Sequence, residues 1–262
     1  MKLAIFALAL ALCGCFLAQS APAPQSIPPV STNMFVQSKP CGDLRDPDGH
    51  ITSCTFDKPV TAGDLWVIQH YGGGYPNDTG YPKDNQGNVW QSVWVSNFHY
   101  TTIGKSGVAT VDLHGENLGG AYFALMVEYK PVLGIDTHTD PNTGATVPSV
   151  TWGTYNGQNL ESPQGSSWDH GWTPPNYTDH SCDLLIAWSF SGSYETYALH
   201  PDHFPTAGPG FTVRESEYGD LAIEDSIAVQ PGIYIASIGW NTAAHWEMGS
   251  ALFRTGMTSC GN

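Results

Sequence analysis

Short apolar segments rich in Val, Ile, Trp and Tyr recur along the chain after residue 20, each closed within a few residues by Gly, Pro, Asn or Asp. No stretch there sustains the spacing of an amphipathic helix, and frequent glycines and prolines interrupt any run long enough to make one. Such a chain buries its apolar faces by stacking short strands, so an all-β, antiparallel β-sandwich or barrel is predicted. The predicted strands in the first half are Met34–Ser38, Ile51–Phe56, Leu65–Tyr71, Val89–Val95, Val108–Leu113 and Tyr122–Tyr129. Those in the second half are Leu184–Ser191, Phe211–Glu215, Ser226–Val229, Ile233–Ile238 and Trp246–Phe253. Leu65-Trp66-Val67-Ile68 and Leu184-Leu185-Ile186-Ala187-Trp188 are apolar at every position, which marks central strands covered on both faces. Val108–Leu113 alternates instead, with Ala109, Val111 and Leu113 inward and Val108, Thr110 and Asp112 outward. Pro231-Gly232 predicts a tight turn that joins Ser226–Val229 to Ile233–Ile238 as a hairpin.

The first residues, Met1-Lys2-Leu3-Ala4-Ile5-Phe6, carry one positive charge and begin an apolar run that reaches about Ala18. A transmembrane helix needs about 20 apolar residues, so the run reads as a secretory signal over residues 1–20, with cleavage before Ala21. Leu12-Cys13-Gly14-Cys15 also fits a lipoprotein box, which would make Cys15 a lipid anchor, but Phe16-Leu17-Ala18 continues the apolar run past it. Residues 21–32 form a Pro/Ala-rich linker, and residues 33–262 are assigned to a single β-sandwich domain. Of the 6 cysteines, loss or modification of Cys13 and Cys15 leaves Cys41, Cys54, Cys182 and Cys260. In an oxidising compartment these four predict two disulfides, and chain proximity favours Cys41–Cys54 with Cys182–Cys260. The formal net charge of −15 repels phosphate backbones and anionic lipid, which disfavours nucleic acid as a partner and leaves neutral polymers, cations and proteins open. No later segment is long and apolar enough to span a membrane.

One ordered set of segments is distinctive. Val60-Thr61-Ala62-Gly63-Asp64-Leu65-Trp66-Val67 is followed by Gly87-Asn88-Val89-Trp90 and Val127-Glu128-Tyr129. Asp183-Leu184-Leu185-Ile186, Gly210-Phe211-Thr212-Val213-Arg214 and Trp246 to Phe253 complete it. This order resembles a widespread group of secreted bacterial β-sandwich domains, over most of Met34 to Arg254. The resemblance implies a jelly-roll-like sandwich with no agreed catalytic residues, so it speaks to the fold and is silent about chemistry. The chain departs from the pattern at Cys41–Cys54, at Lys130-Pro131, and in an insert from about Val147 to Ser181.

The chemistry-bearing residues are scattered. There is no GxSxG nucleophile elbow and no HExxH, and the predicted mature start is not His, as a copper histidine brace requires. Glu215, Glu217, Asp220, Glu224 and Asp225 crowd one predicted acidic loop, where a pair of carboxylates could run glycoside hydrolysis. Asp140-Pro141-Asn142-Thr143-Gly144, with Asp136 upstream, has the opening spacing of a calcium loop but lacks its closing Glu. A calcium ion on Asp136, Asp140 and Asn142 is therefore a candidate cofactor, set against ordinary turn chemistry. His200 and His203 belong to a polar loop, since Pro201 disfavours the helix that would converge them. Glu128 in an apolar strand needs a partner, and of the three arginines (Arg45, Arg214, Arg254) Arg214 is the one predicted.

The insert mixes Trp152, Tyr155, Trp168 and Trp172 with Asn, Gly, Ser and Asp. That is the composition of sugar-binding surfaces, where aromatic faces take pyranose rings and polar groups take hydroxyls. Asn77-Asp78-Thr79 and Asn176-Tyr177-Thr178 are glycosylation sequons, relevant in a eukaryotic host. The expected function is a secreted, non-catalytic binding or surface module for polysaccharide or cell-surface glycan. The alternatives are a glycoside-active hydrolase using residues 215–225 and a structural or adhesive protein of the envelope.

Overall fold

The computed structural model describes residues 34–41, 53–71, 82–93, 98–112, 123–140, 143–155, 170–172, 175–191, 205–217, 221–240 and 246–260. Among the described residues there are strands and no helix, hence none long and apolar enough to cross a membrane. In chain order the first are β1 (Phe35–Cys41), β2 (Ser53–Thr55), β3 (Leu65–Tyr71), β4 (Lys83–Asp84), β5 (Gln91–Ser92), β6 (Phe98–Thr102) and β7 (Thr110–Asp112). Next come β8 (Phe123–Tyr129), β9 (Gly134–Ile135), β10 (Thr137–Thr139), β11 (Thr146–Pro148), β12 (Val150–Tyr155), β13 (His170–Trp172) and β14 (Asn176–Thr178). The last are β15 (Asp183–Ser191), β16 (Pro205–Ala207), β17 (Thr212–Glu217), β18 (Leu221–Ala228), β19 (Gly232–Tyr234), β20 (Ser237–Trp240) and β21 (Trp246–Arg254).

Two antiparallel sheets form the sandwich. Sheet I runs β1-β8-β3-β6-β5, and sheet II runs β12-β21-β15-β18-β17, with β9 added alongside β21. The strands that contain the two fully apolar runs, β3 and β15, lie inside sheets I and II respectively, as predicted. Residue parity then sorts their side chains. Leu65, Val67, Leu184, Ile186 and Trp188 meet between the sheets, where Phe98 stacks on Trp188. Trp66 and Ile68 point out the far side of sheet I, beneath the small sheet β2-β7-β4. Leu185 and Ala187 point out the far side of sheet II, against Phe211, Tyr234 and Ala236. Strands β2 and β7 cover sheet I as the alternation requires: Ala109 and Val111 are buried, and Val108 is exposed. Trp90 is packing, edge-on to Trp66 with its indole N–H donating to Asp84. Both predicted disulfides, Cys41–Cys54 and Cys182–Cys260, are present.

The Pro231-Gly232 hairpin does not form as predicted. Strand β18 pairs with β15 and β17, while β19, beyond the turn, pairs with β14 in the outer layer. The turn therefore moves the chain between layers instead of folding it back within one sheet. Strand β20 in turn pairs with β13 and β16. Gly208 lies where that layer closes on sheet II: a Cβ there would stand 2.1 Å from the Ser237 carbonyl oxygen, so only glycine fits.

The pairing of Glu128 with Arg214 is also corrected. Tyr129 and Val127 face the inter-sheet core, so alternation turns Glu128 to the opposite side of sheet I. There Glu128 accepts Gln37 Nε2–H (2.5 Å) and the Thr61 amide (3.0 Å), and Asp64 lies beside it. Burial and the Glu128 carboxylate push Asp64 up to about 6. Arg214 belongs to sheet II and clasps Asp225, Nε to Oδ2 at 2.8 Å and Nη2 to Oδ1 at 2.9 Å.

On the same outer side of sheet I, His70 and His99 are buried with parallel rings and Nε2 atoms 3.1 Å apart. Burial lowers His70 to about 4, and burial with the neighbouring His70 lowers His99 well below its usual value. The unfolded chain takes up a proton near pH 6.5 that folded His70 refuses until about pH 4. Its contribution is therefore a loss of stability as pH falls through that window, at most about 3 kcal/mol. Asp64 acts in the opposite sense, since the folded state holds its proton up to about pH 6 and loses stability as pH rises toward that value. His70→Gln removes the first contribution and leaves the second. Urea unfolding between pH 4 and 6.5 should show the stability of the wild type falling more steeply toward acid than that of the variant. Equal slopes would contradict the assignment.

Candidate functional site

Three potential metal ligands converge on the outer side of sheet II: Asp136, His180 and Asp183, each offering one ligand atom, all within 4.8 Å of one another. Asp136 follows β9 and is tied down by its backbone. Its N–H donates to the Leu252 carbonyl of β21, and its carbonyl accepts the Ser149 amide, both at 2.8 Å. His180 and Asp183 flank Cys182, whose N–H donates to the Ala228 carbonyl (2.6 Å) and whose disulfide anchors the entry to β15. Thr178 at the end of β14 organises this stretch. Its hydroxyl donates to Asp183 Oδ2 (2.8 Å) and accepts the His180 amide (2.9 Å).

The electrostatics of this cluster are unusual. Asp136 and Asp183 are buried at 0% and 2% exposure, with their carboxyls side by side. Burial, with the Asp136 charge adding to it, pushes Asp183 up to about 6. His180 Nδ1 lies 2.9 Å from Asp136 Oδ1, yet the two are not aligned for a hydrogen bond and neither atom has another partner. Ser149 Oγ stands at a long 3.5 Å from the other Asp136 oxygen, and its hydroxyl also meets His138, whose ring stacks on Tyr177.

Of the sequence-predicted calcium ligands, Asp136 belongs to this cluster and Asp140 does not. Asp140 closes the β10–β11 hairpin, accepting the Thr143 hydroxyl (2.8 Å), with Gly144 in the left-handed region at φ +69°. The Asp-x-Asn-x-Gly spacing thus makes a turn at Asp140. Asn142 lies outside the described residues. His180 and Asp183 were not singled out from the sequence. The available signal was local: Asp179-His180-Ser181-Cys182-Asp183 packs four potential ligand residues into five positions.

The predicted sugar-binding residues are not carried on one loop. Among the described residues, Val147–Ser181 holds the end of β11 and three further strands: β12 pairs with β21 at the end of sheet II, β13 with β20, and β14 with β19. Trp152 and Tyr155 are therefore on β12 and Trp172 on β13, while Trp168 lies outside the described residues. The sequon residue Asn176 is buried, its amide donating to the Ser149 carbonyl (3.1 Å) and Ser250 Oγ (3.2 Å). His200 and His203 lie outside the described residues.

The predicted acidic loop is instead the β17–β18 pair. Glu224 and Asp225 are buried in β18 on opposite faces of sheet II. Asp225 takes Arg214, whereas Glu224 accepts the Gly208 amide at 3.1 Å, and burial raises its pKa well above the usual range. Glu215 accepts the Ser38 hydroxyl of β1 (2.8 Å). Asp220 lies outside the described residues.

The chain matches no known protein family, no curated protein and no solved structure.

Proposed function

We propose that the chain is an exported, non-catalytic β-sandwich module that binds polysaccharide or cell-surface glycan through its aromatic insert. The observation that carries this reading is the integration of the insert into the sheets. The positions of Trp152 and Tyr155 fall on β12 and that of Trp172 on β13, and strands present binding residues from a more rigid backbone than a loop does. Two disulfides and a net charge of −15 suit an oxidising exterior and a neutral polymer as partner. The motif order resembling secreted bacterial β-sandwich domains is consistent with export. Hydrolysis by residues 215–225 has less support, because Glu224 and Asp225 face opposite ways and each has its own partner. Sugar stacking predicts that Trp172→Ala weakens glycan binding about tenfold, the loss of about 1.4 kcal/mol, with little change in Tm. Isothermal titration with the glycan that the wild type retains measures this. A variant that keeps full affinity removes Trp172 from the binding surface.

A further inference from the structure

We propose that Asp136, His180 and Asp183 hold a divalent transition-metal ion of the Zn2+ class, placed where the chain leaves β9 and where it returns at β15. The strongest indication is the contact between Asp136 Oδ1 and His180 Nδ1. At 2.9 Å an imidazole and a carboxylate ordinarily share a well-directed hydrogen bond, and here neither atom is aligned to the other or partnered elsewhere. Two donors that flank one ion have this arrangement, because each directs its electron pair at a third point about 2.1 Å away. The second indication is charge. Two fully buried carboxylates, Asp136 and Asp183, converge on one point away from water, and a doubly charged ion at that point would offset both. The third is the supporting layer. Thr178 holds one Asp183 oxygen and Ser149 lies against the second Asp136 oxygen, as outer-shell groups orient ligands around a metal.

The donor set selects the ion. Ca2+ takes six to eight oxygen ligands, and among the described residues this cluster offers three protein ligands, one of them nitrogen. Two carboxylates and an imidazole suit Zn2+ or Mn2+, and the half-exposed His180 side gives both an entry path and a place for a solvent ligand. The ion would tie the two feet of the excursion that carries β10 to β14, beside the Cys182–Cys260 disulfide. This assignment is independent of the glycan reading.

The test uses the mature protein, stripped with EDTA and dialysed, titrated calorimetrically with ZnCl2, MnCl2 and CaCl2. Zn2+ should bind at one site per chain, and at a hundredfold excess over Kd should raise Tm by about 5 to 10 °C. His180→Ala alters a surface-reaching side chain, so it should fold and unfold cooperatively while binding Zn2+ at least about a hundredfold more weakly, with the Tm rise abolished. Asp136→Asn is the second variant and should lose the same site. Absence of a saturable Zn2+ site, equal Zn2+ affinity in wild type and His180→Ala, or binding of Ca2+ without Zn2+ would each overturn the assignment.

Discussion

Replacing Arg214 with Ala should cost about 3–5 kcal/mol in urea unfolding, because it strands a carboxylate between the two sheets. Asp225 is fully buried, and its inward neighbours along β18 are Ile223 and Ile227. Arg214 reaches it from a β-bulge, the register shift between Val213 and Glu215, which inserts an extra residue and re-aims its side chain. The guanidinium also lies over the Phe35 ring, 4.8 Å from its centre, so it bridges strands of both sheets. The Tyr129 hydroxyl lies close to Asp225, and burial together with that carboxylate raises the phenol well above its usual pKa. The expected loss reflects the charge left behind more than the attraction removed. Replacing both partners by apolar residues, Arg214→Met with Asp225→Leu, should therefore recover most of it. A loss below about 1 kcal/mol for Arg214→Ala would mean that water reaches Asp225 and the site is not dry.

The second large effect concerns Cys182–Cys260. Its sequence separation is 78, against 13 for Cys41–Cys54. In the chain-entropy model the longer closure contributes about 4.5 kcal/mol and the shorter about 3. Cys182→Ser with Cys260→Ser should thus lower Tm by about 9 to 18 °C, and more than the corresponding change at Cys41 and Cys54. The position amplifies the effect. Cys182 has φ +66°, uncommon for a non-glycine residue, and its carbonyl accepts the Thr255 hydroxyl at 2.7 Å, so the C-terminal segment is bound to the start of β15 at two points. If the two double variants melted together, loop closure would not be the source of the stabilisation.

What the sequence revealed follows from which interactions are local. Burial on both faces leaves continuous apolar runs, so β3 and β15 could be found, and alternation identified Ala109 and Val111. Strand β6, Phe98-His99-Tyr100-Thr101-Thr102, escaped notice because polar side chains occupy buried positions: His99 packs on His70, and Thr101 donates to the Val89 carbonyl. Charges concealed β18 for the same reason. Leu221-Ala222-Ile223-Glu224-Asp225 ends in two carboxylates, and only the tertiary fold supplies the Arg214 and Gly208 that accept their burial. The site was half legible. Asp136 was visible as a candidate ligand, but its spatial partners come from the far end of the insert, and no local spacing links them. The glycosylation reading of Asn176 fails on the same ground, since its amide is committed to Ser149 and Ser250 inside the fold.

Retention of the wild-type protein on insoluble polysaccharides, read alongside a glycan array, tests the functional claim most directly. Specific, saturable retention on at least one neutral glycan is expected, without release of reducing ends over time. Failure to bind any polysaccharide or arrayed glycan would contradict it, and steady release of reducing sugar would favour the hydrolase.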